Sequence, residues 1–166
     1  MDDLKFQNIA YTDLSVDDVI GSIKKFLEED TLKTYKLTIG TDSEVKTIEN
    51  NKNLDLVSAI VIYRNGFGGK FFWMKRKLPA PKTLRDKIYQ EVLASIDVAK
   101  VLVPELKEKL NGHSSLYDLE IHIDVGEYGE TRNMIKEVVG IVTGHGFTAK
   151  TKPHSYAASN IADRYT

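Results

Sequence analysis

Cysteine is absent from the 166 residues, which excludes disulfides and thiolate metal sites and suits a reducing compartment. Net charge is nearly absent too. At -1, the chain lacks the large positive excess on which indiscriminate coating of nucleic acid runs. No apolar run approaches the about 20 residues of a membrane span, and the opening MDDLKFQNIAYTDLS lacks the basic-then-apolar layout of a secretion signal. The expectation is a cytoplasmic protein with no membrane partner. Repeats and low-complexity tracts are missing as well. What is present, 42% hydrophobic and 28% charged residues, is the make-up of a globular domain with a proper core. It is read as a single domain over 1–166, with 1–30 as an N-terminal helical addition.

That addition is a helix. Ser15 and Asp18 make a capping pair, and Val16, Val19, Ile20, Ile23, Phe26 and Leu27 repeat at helical spacing. Three strand-like runs follow, Lys36 to Glu44, Leu54 to Tyr63 and Lys70 to Leu78. Asn65-Gly66 gives a hairpin signal between the last two, and the link from Val45 to Asn53 is short, so the three predict an antiparallel meander. PAPK at 79–82 breaks the pattern, and a helix from Thr83 to Val103 is expected to stop near Pro104. Then come strand 119–125, a helix over 131–143 ended by GHG, strand FTAKTK, and a short closing helix in SYAASNIADRY. The order predicts a mixed five-stranded α/β sheet. Right-handed helical crossovers place strand four, parallel, beside strand one, with the meander running off the other side.

The run LTIGTDSEV at 37–45 reads as a buried strand until Asp42, and a carboxylate at the edge of a core needs compensation. In strand four, Glu120, His122 and Asp124 alternate with Leu119, Ile121, Ile123 and Val125, so Asp124 ends a polar face. If the two strands are adjacent and parallel, both acids stand at the strand ends where open α/β sheets bind ligands. At about 100° per residue, Glu91 falls on the inward stripe with Leu84, Ile88, Ser95, Ala99 and Leu102. In the last helix Tyr156, Ser159, Asn160 and Asp163 share a face, which directs Asp163 to the same sheet edge. Singly, each acid has an ordinary role open to it: Asp42 as a strand end or turn cap, Asp124 as the start of the DVGEYGE loop, Glu91 as an ion-pair partner of Arg85 or Lys87, and Asp163 in a frayed terminus. Jointly, Asp42, Glu91, Asp124 and Asp163 form the oxygen-rich donor set that Mg²⁺ or Mn²⁺ prefers. Zinc through His122 and Asp124 lacks a third ligand.

The stretch Lys70 to Lys87 carries seven cations against the single acid Asp86, interleaved with Phe71, Phe72 and Trp73. It reads either as a solvated strand edge or as a phosphate-facing strip, with Lys75, Arg76, Lys77, Lys82 and Arg85 as the candidates for nucleic acid.

The element order and the placement of the acids resemble the ribonuclease H fold. GTDSE at 40–44, HIDVGEYGETR at 122–132 and KPHSYAASNIADRYT at 152–166 resemble, more closely, the bacterial YkuK-type family of predicted ribonuclease H-like nucleases. The resemblance covers most of the chain beyond the first helix. It implies a metal-dependent nuclease acting on RNA, DNA or a hybrid through two Mg²⁺ or Mn²⁺ ions, one helping to form hydroxide and the other stabilising the departing 3′ oxygen. It implies Asp42 as the ligand bridging both ions, with Glu91, Asp124 and Asp163 completing the set. His154, just before the last helix, is implied in proton movement or product release. Ser43 departs from the glycine usual after the first aspartate of ribonuclease H. The rival reading is a module that kept the fold and the acids for binding nucleic acid or protein, without turnover. An actin-like ATPase is disfavoured, because a chain this short has no room for a second lobe.

Overall fold

The computed structural model describes residues 4–112, 116–155 and 157–166; Tyr156, named above on the last helix's face, lies outside the described residues. The chain runs α1 (Val16–Glu28), β1 (Tyr35–Ile48), β2 (Asn51–Tyr63), β3 (Gly69–Pro79), α2 (Leu84–Lys109), β4 (Tyr117–His122), a 3-10 turn (Arg132–Met134), α3 (Ile135–Gly144), β5 (Thr148–Lys150) and α4 (Ala157–Tyr165). The sheet order is β3-β2-β1-β4-β5. Pairs β1–β2 and β2–β3 are antiparallel, and β1–β4 and β4–β5 parallel, the mixed arrangement expected from the sequence.

Each element starts where its chemistry directs. The Ser15 hydroxyl accepts from the Asp18 amide while the Asp18 carboxylate accepts from the Ser15 amide, a full capping box on α1. Thr83 caps α2 through the Asp86 amide. One face of the sheet takes α1, α2 and α3. There Leu37, Ile39, Ile60, Ile62, Phe72 and Ile121 pack against Ile20, Ile23, Leu27, Ala99 and Val138. The other face takes α4 over a smaller cluster of Val57, Ala59, Trp73 and Ala162.

Three expectations change. First, α2 does not stop at Pro104 but continues to Lys109. A proline removes one backbone hydrogen bond and crowds the preceding turn, yet Leu106 and, just past the helix, Leu110 are buried, and Lys109 pairs with Asp17 at the start of α1. Burial of two leucines, at about 1.5–3 kcal/mol each, offsets the proline. Second, β1 runs six residues beyond Asp42, so Asp42 lies inside the strand. The link to β2 is the two residues Glu49 and Asn50, with φ of 49° and 66°. Two successive positive φ values match the twist of a tight hairpin, which lets the ladder extend to Ile48↔Asn51. Third, β4 ends at His122, although the chain beyond keeps two bonds to the β5 side, Ile123 N to Lys150 O and Lys152 N to Val125 O.

Candidate metal and nucleic-acid site

The last β1–β4 pair is Gly40↔His122. Asp42 and Asp124 therefore each lie two residues past the point where the two strands part, and β1 goes on paired with β2 alone. Alternation puts Asp42 on the face of Gly40 and Thr38, the face covered by α4. Gly40 has no room for a side chain: a Cβ there would stand 3.0 Å from the Ala158 Cβ and 3.2 Å from the His122 carbonyl oxygen. This close approach seats α4 on the sheet beside the acids. At its far end Thr166 Oγ1 donates to Asp42 Oδ2 at 3.3 Å, and Lys46 Nζ donates to the Thr166 carbonyl at 2.8 Å. Asp163, exposed, is one turn earlier on α4.

Glu91 arrives from the opposite face. Thr41 and Ser43 alternate with Asp42 and point toward α2, where two rungs fix the helix against the strand. Ser95 Oγ donates to Thr41 Oγ1 at 2.8 Å, and Ser43 Oγ donates to Glu91 Oε1 at 2.6 Å. Thr41 also shares a hydrogen bond with Ser58. The rungs match because residues 91 and 95 are about one helical turn apart and residues 41 and 43 are one strand repeat apart. Ser43 thus has a task that a glycine would not perform.

The electrostatics answer what compensates these acids. Burial raises the Glu91 carboxyl above its usual value; Lys87, at 2.9 Å from Oε1, and the Ser43 hydroxyl oppose the rise. Burial likewise raises Asp42, opposed by the Ser43 amide and by Lys87, while the negative charges of Asp163 and Asp124 push it further up. Lys152 Nζ holds Asp124 Oδ1 at 2.7 Å, and Asp124, with Asp42 and Asp163 at longer range, raises the lysine. Two lysines are thus the resident counterions of the acid cluster. Among the described residues no three His, Asp or Glu side chains converge in metal-holding geometry. The Lys87 and Lys152 contacts account for part of this, since Glu91 and Asp124 are turned to ammonium groups. In kind, a set made only of carboxylates, with Asp42 raised by burial and further by Asp163 and Asp124, fits a hard divalent cation.

Lys152→Ala is expected to tighten Mn²⁺ binding, measured by calorimetric titration. The Lys152 side chain is 58% exposed, so the gain is modest, no more than about 5-fold, as for exposed ion pairs. Weaker binding in this variant would show that Lys152 does not compete with a cation.

The remaining sequence candidates are not brought together into one strip. On β3, alternation sends Phe71, Trp73, Lys75 and Lys77 to the α4 face and Arg76 to the other. There Arg76 lies against Asp97 and the Ala94 carbonyl. Arg85 pairs with Glu137 and Tyr89, and Lys82 borders a separate cleft with Pro79, Pro81, Tyr89 and Gln90. His154 sits exposed in the turn before α4, its amide bonded to the Thr151 carbonyl. Sequence reasoning named Lys87 as one partner open to Glu91 but missed Lys152 and the Thr41–Ser95 rung. Alternation along β1 carried the signal for the rung; Lys152 had none, because its contact with Asp124 is made across the fold.

A family model described as Ribonuclease H-like matches residues 18–166. The uncharacterized protein YkuK of Bacillus subtilis (strain 168) is 30% identical over 173 residues, covering 99% of this chain and 98% of that protein. No solved structure matches.

Proposed function

The chain belongs to the ribonuclease H-like family, and we propose that within it this protein is a divalent-metal-dependent nuclease hydrolysing phosphodiester bonds of RNA, DNA or an RNA-DNA hybrid. The observation that carries the reading is the placement of Asp42 and Asp124, each two residues past the last β1–β4 pair, with α4, which carries Asp163, seated on the sheet beside Asp42. Asp42, Asp124 and Asp163, with Glu91 from across the sheet, are the groups that would hold Mg²⁺ or Mn²⁺. Two such ions, when bound there, would supply activation of the attacking water and charge stabilisation at the departing oxygen.

The chain's own groups do the rest. Ser43 and the Thr41–Ser95 rung keep Glu91 from swinging away. Lys87 and Lys152, once cations replace them on the carboxylates, are placed to contact a phosphate. Lys75 and Lys77, exposed on the face that carries Asp42, are assigned to the nucleic-acid backbone, with Arg76, Lys82 and Arg85 as outlying contacts. His154 is assigned proton movement or product release. Among the described residues no helix is long and apolar enough to cross a membrane.

One observation favours a second reading, a non-catalytic module binding nucleic acid or protein: Lys87 and Lys152 already neutralise two of the acids, as a domain without metal requires.

The test is the metal response of stability. Asp42 has its pKa raised by folding, so the fold prefers its protonated form. Without metal its contribution should fall as pH rises past the unfolded value of 3.8. Asp42→Asn should remove that fall and leave the metal-free protein at neutral pH equally stable or up to about 1 kcal/mol more stable. Mg²⁺ or Mn²⁺ should raise the wild-type melting temperature and leave the variant unmoved. Unfolding of Asp42→Asn with and without metal would make Asp42 a structural residue instead.

A further inference from the structure

The motif HIDVGEYGETR supplied only Asp124 to the proposed site, and its remainder forms the loop from β4 to the 3-10 turn. Gly126 is buried and lies against the Lys152 stem; a Cβ on it would be 3.2 Å from the Lys152 Cβ. Its amide donates to Thr131 Oγ1 at 3.4 Å, and the Arg132 amide to the Gly129 carbonyl, with Gly129 at φ 84°. Because Lys152 also holds Asp124, the loop is tied beside the acid edge. Yet the loop presents Tyr128 with 91% of its surface exposed.

A lone exposed ring needs no explanation, but this one is not alone. Tyr128, Arg132, Ile135 and Lys136 line one cleft of about 450 Å³, with Glu127 the single acid. Among the described residues the Arg132 and Lys136 side chains make no ion pair. An open aromatic face beside two unengaged cations is the composition that binds an unpaired nucleotide, the base stacking on the ring and phosphates on the cations. A base inside a duplex is stacked on both faces and has none free to offer.

Resting on the nucleic-acid reading above, we propose that Tyr128, Arg132 and Lys136 form a subsite for an unpaired nucleotide flanking the acid cluster, so that the substrate is single-stranded there. Tyr128 is four positions after Asp124, at most about 14 Å of chain. The subsite therefore lies within a few nucleotides of the bond to be cut.

Fluorescence anisotropy tests this with short labelled single-stranded RNA, single-stranded DNA and a blunt duplex, all in chelator so that nothing is cut. Circular dichroism confirms that each variant is folded. Tyr128→Ala is expected to weaken single-strand binding about 5- to 100-fold and Tyr128→Phe by less than about 3-fold. Arg132→Gln and Lys136→Gln should each flatten the salt dependence by about 0.7 in log-log slope. Single-strand affinity unchanged in Tyr128→Ala, or single strand and duplex weakened alike, overturns the subsite. Cleavage, assayed separately, keeps the two readings apart. A wild type that cuts while Tyr128→Ala binds and cuts as well retains the nuclease and removes the subsite. A wild type that cuts nothing while Tyr128→Ala loses single-strand binding retains the subsite and removes the nuclease.

Discussion

Asp42→Asn and Asp124→Asn are each expected to lower phosphodiester cleavage by at least about 10²- to 10³-fold while nucleic-acid affinity stays within a few-fold of wild type. The split follows from where the two residues are. Both stand where β1 and β4 part, whereas Lys75, Lys77, Arg132 and Lys136 lie on other elements. Replacing a carboxylate by its amide keeps shape and removes the charge on which the proposed cation binding depends. Cleavage should require Mg²⁺ or Mn²⁺ and fail in Ca²⁺, whose larger and looser oxygen shell misplaces the attacking water. The assay is a panel of single strands, duplexes, hybrids and branched DNA cut by wild type and both variants. Should wild type bind one of these and cut none in either metal, the lysine-neutralised acids belong to a binding module; variants that cut like wild type would place the chemistry elsewhere.

The second large effect is on stability. Trp73→Ala is expected to cost about 3–5 kcal/mol, the usual loss for truncating a buried aromatic side chain. For a chain of this size that is a fall of roughly 6 to 20 °C in melting temperature. Trp73 is buried and stacks on Tyr165 with ring centroids 3.8 Å apart and planes 9° apart, and Phe71 joins from the neighbouring position on the same strand face. These rings pack with Val57, Ala59, Ile161 and Ala162 in the apolar cluster beneath α4. Loosening them should also weaken the metal-induced stabilisation, because α4 carries Asp163 and positions Thr166 on Asp42. Trp73→Phe should restore most of both. A Trp73→Ala protein with unchanged melting would mean that the Gly40–Ala158 approach holds α4 without the stack.

The sheet order was legible because three apolar runs with short links and two helical crossovers leave few ways to arrange five strands. The nearness of Asp42 and Asp124 followed from alternation only once strands one and four were taken as parallel neighbours, which they are, although Asp124 lies two residues beyond the end of β4; the inward face of Glu91 followed from its helical angle. The end of α2 was misread because Pro104 is a local stop signal, and the buried Leu106 and Leu110 that override it are packing facts. The antiparallel β1–β2 pairing was legible, but its link was read as 45–53 because Glu49-Asn50 is not a familiar tight-turn pair, although both residues adopt positive φ. The basic stretch misled in the opposite sense. Counting charges along β3 made one strip, whereas the period of two divides Lys75 and Lys77 from Arg76. The lysines on Glu91 and Asp124 show both limits: Lys87 is a helical neighbour of its acid and was open to inspection, but Lys152 meets Asp124 only after β4 and β5 are side by side.

The hydrogen bond from Thr166 to Asp42 joins residues 124 positions apart, and the Ser43–Glu91 bond joins residues 48 apart. The β1–β3 meander, in contrast, closes through links of two and five residues. Contacts of high sequence separation form late relative to local ones, since their chain-closing entropy must be met first. A folding chain with only the meander in place holds Asp42 alone, beside neither Glu91, Asp124 nor Asp163. If the proposed chemistry needs several of these carboxylates together, a chain with only the meander in place would have no cutting activity to release.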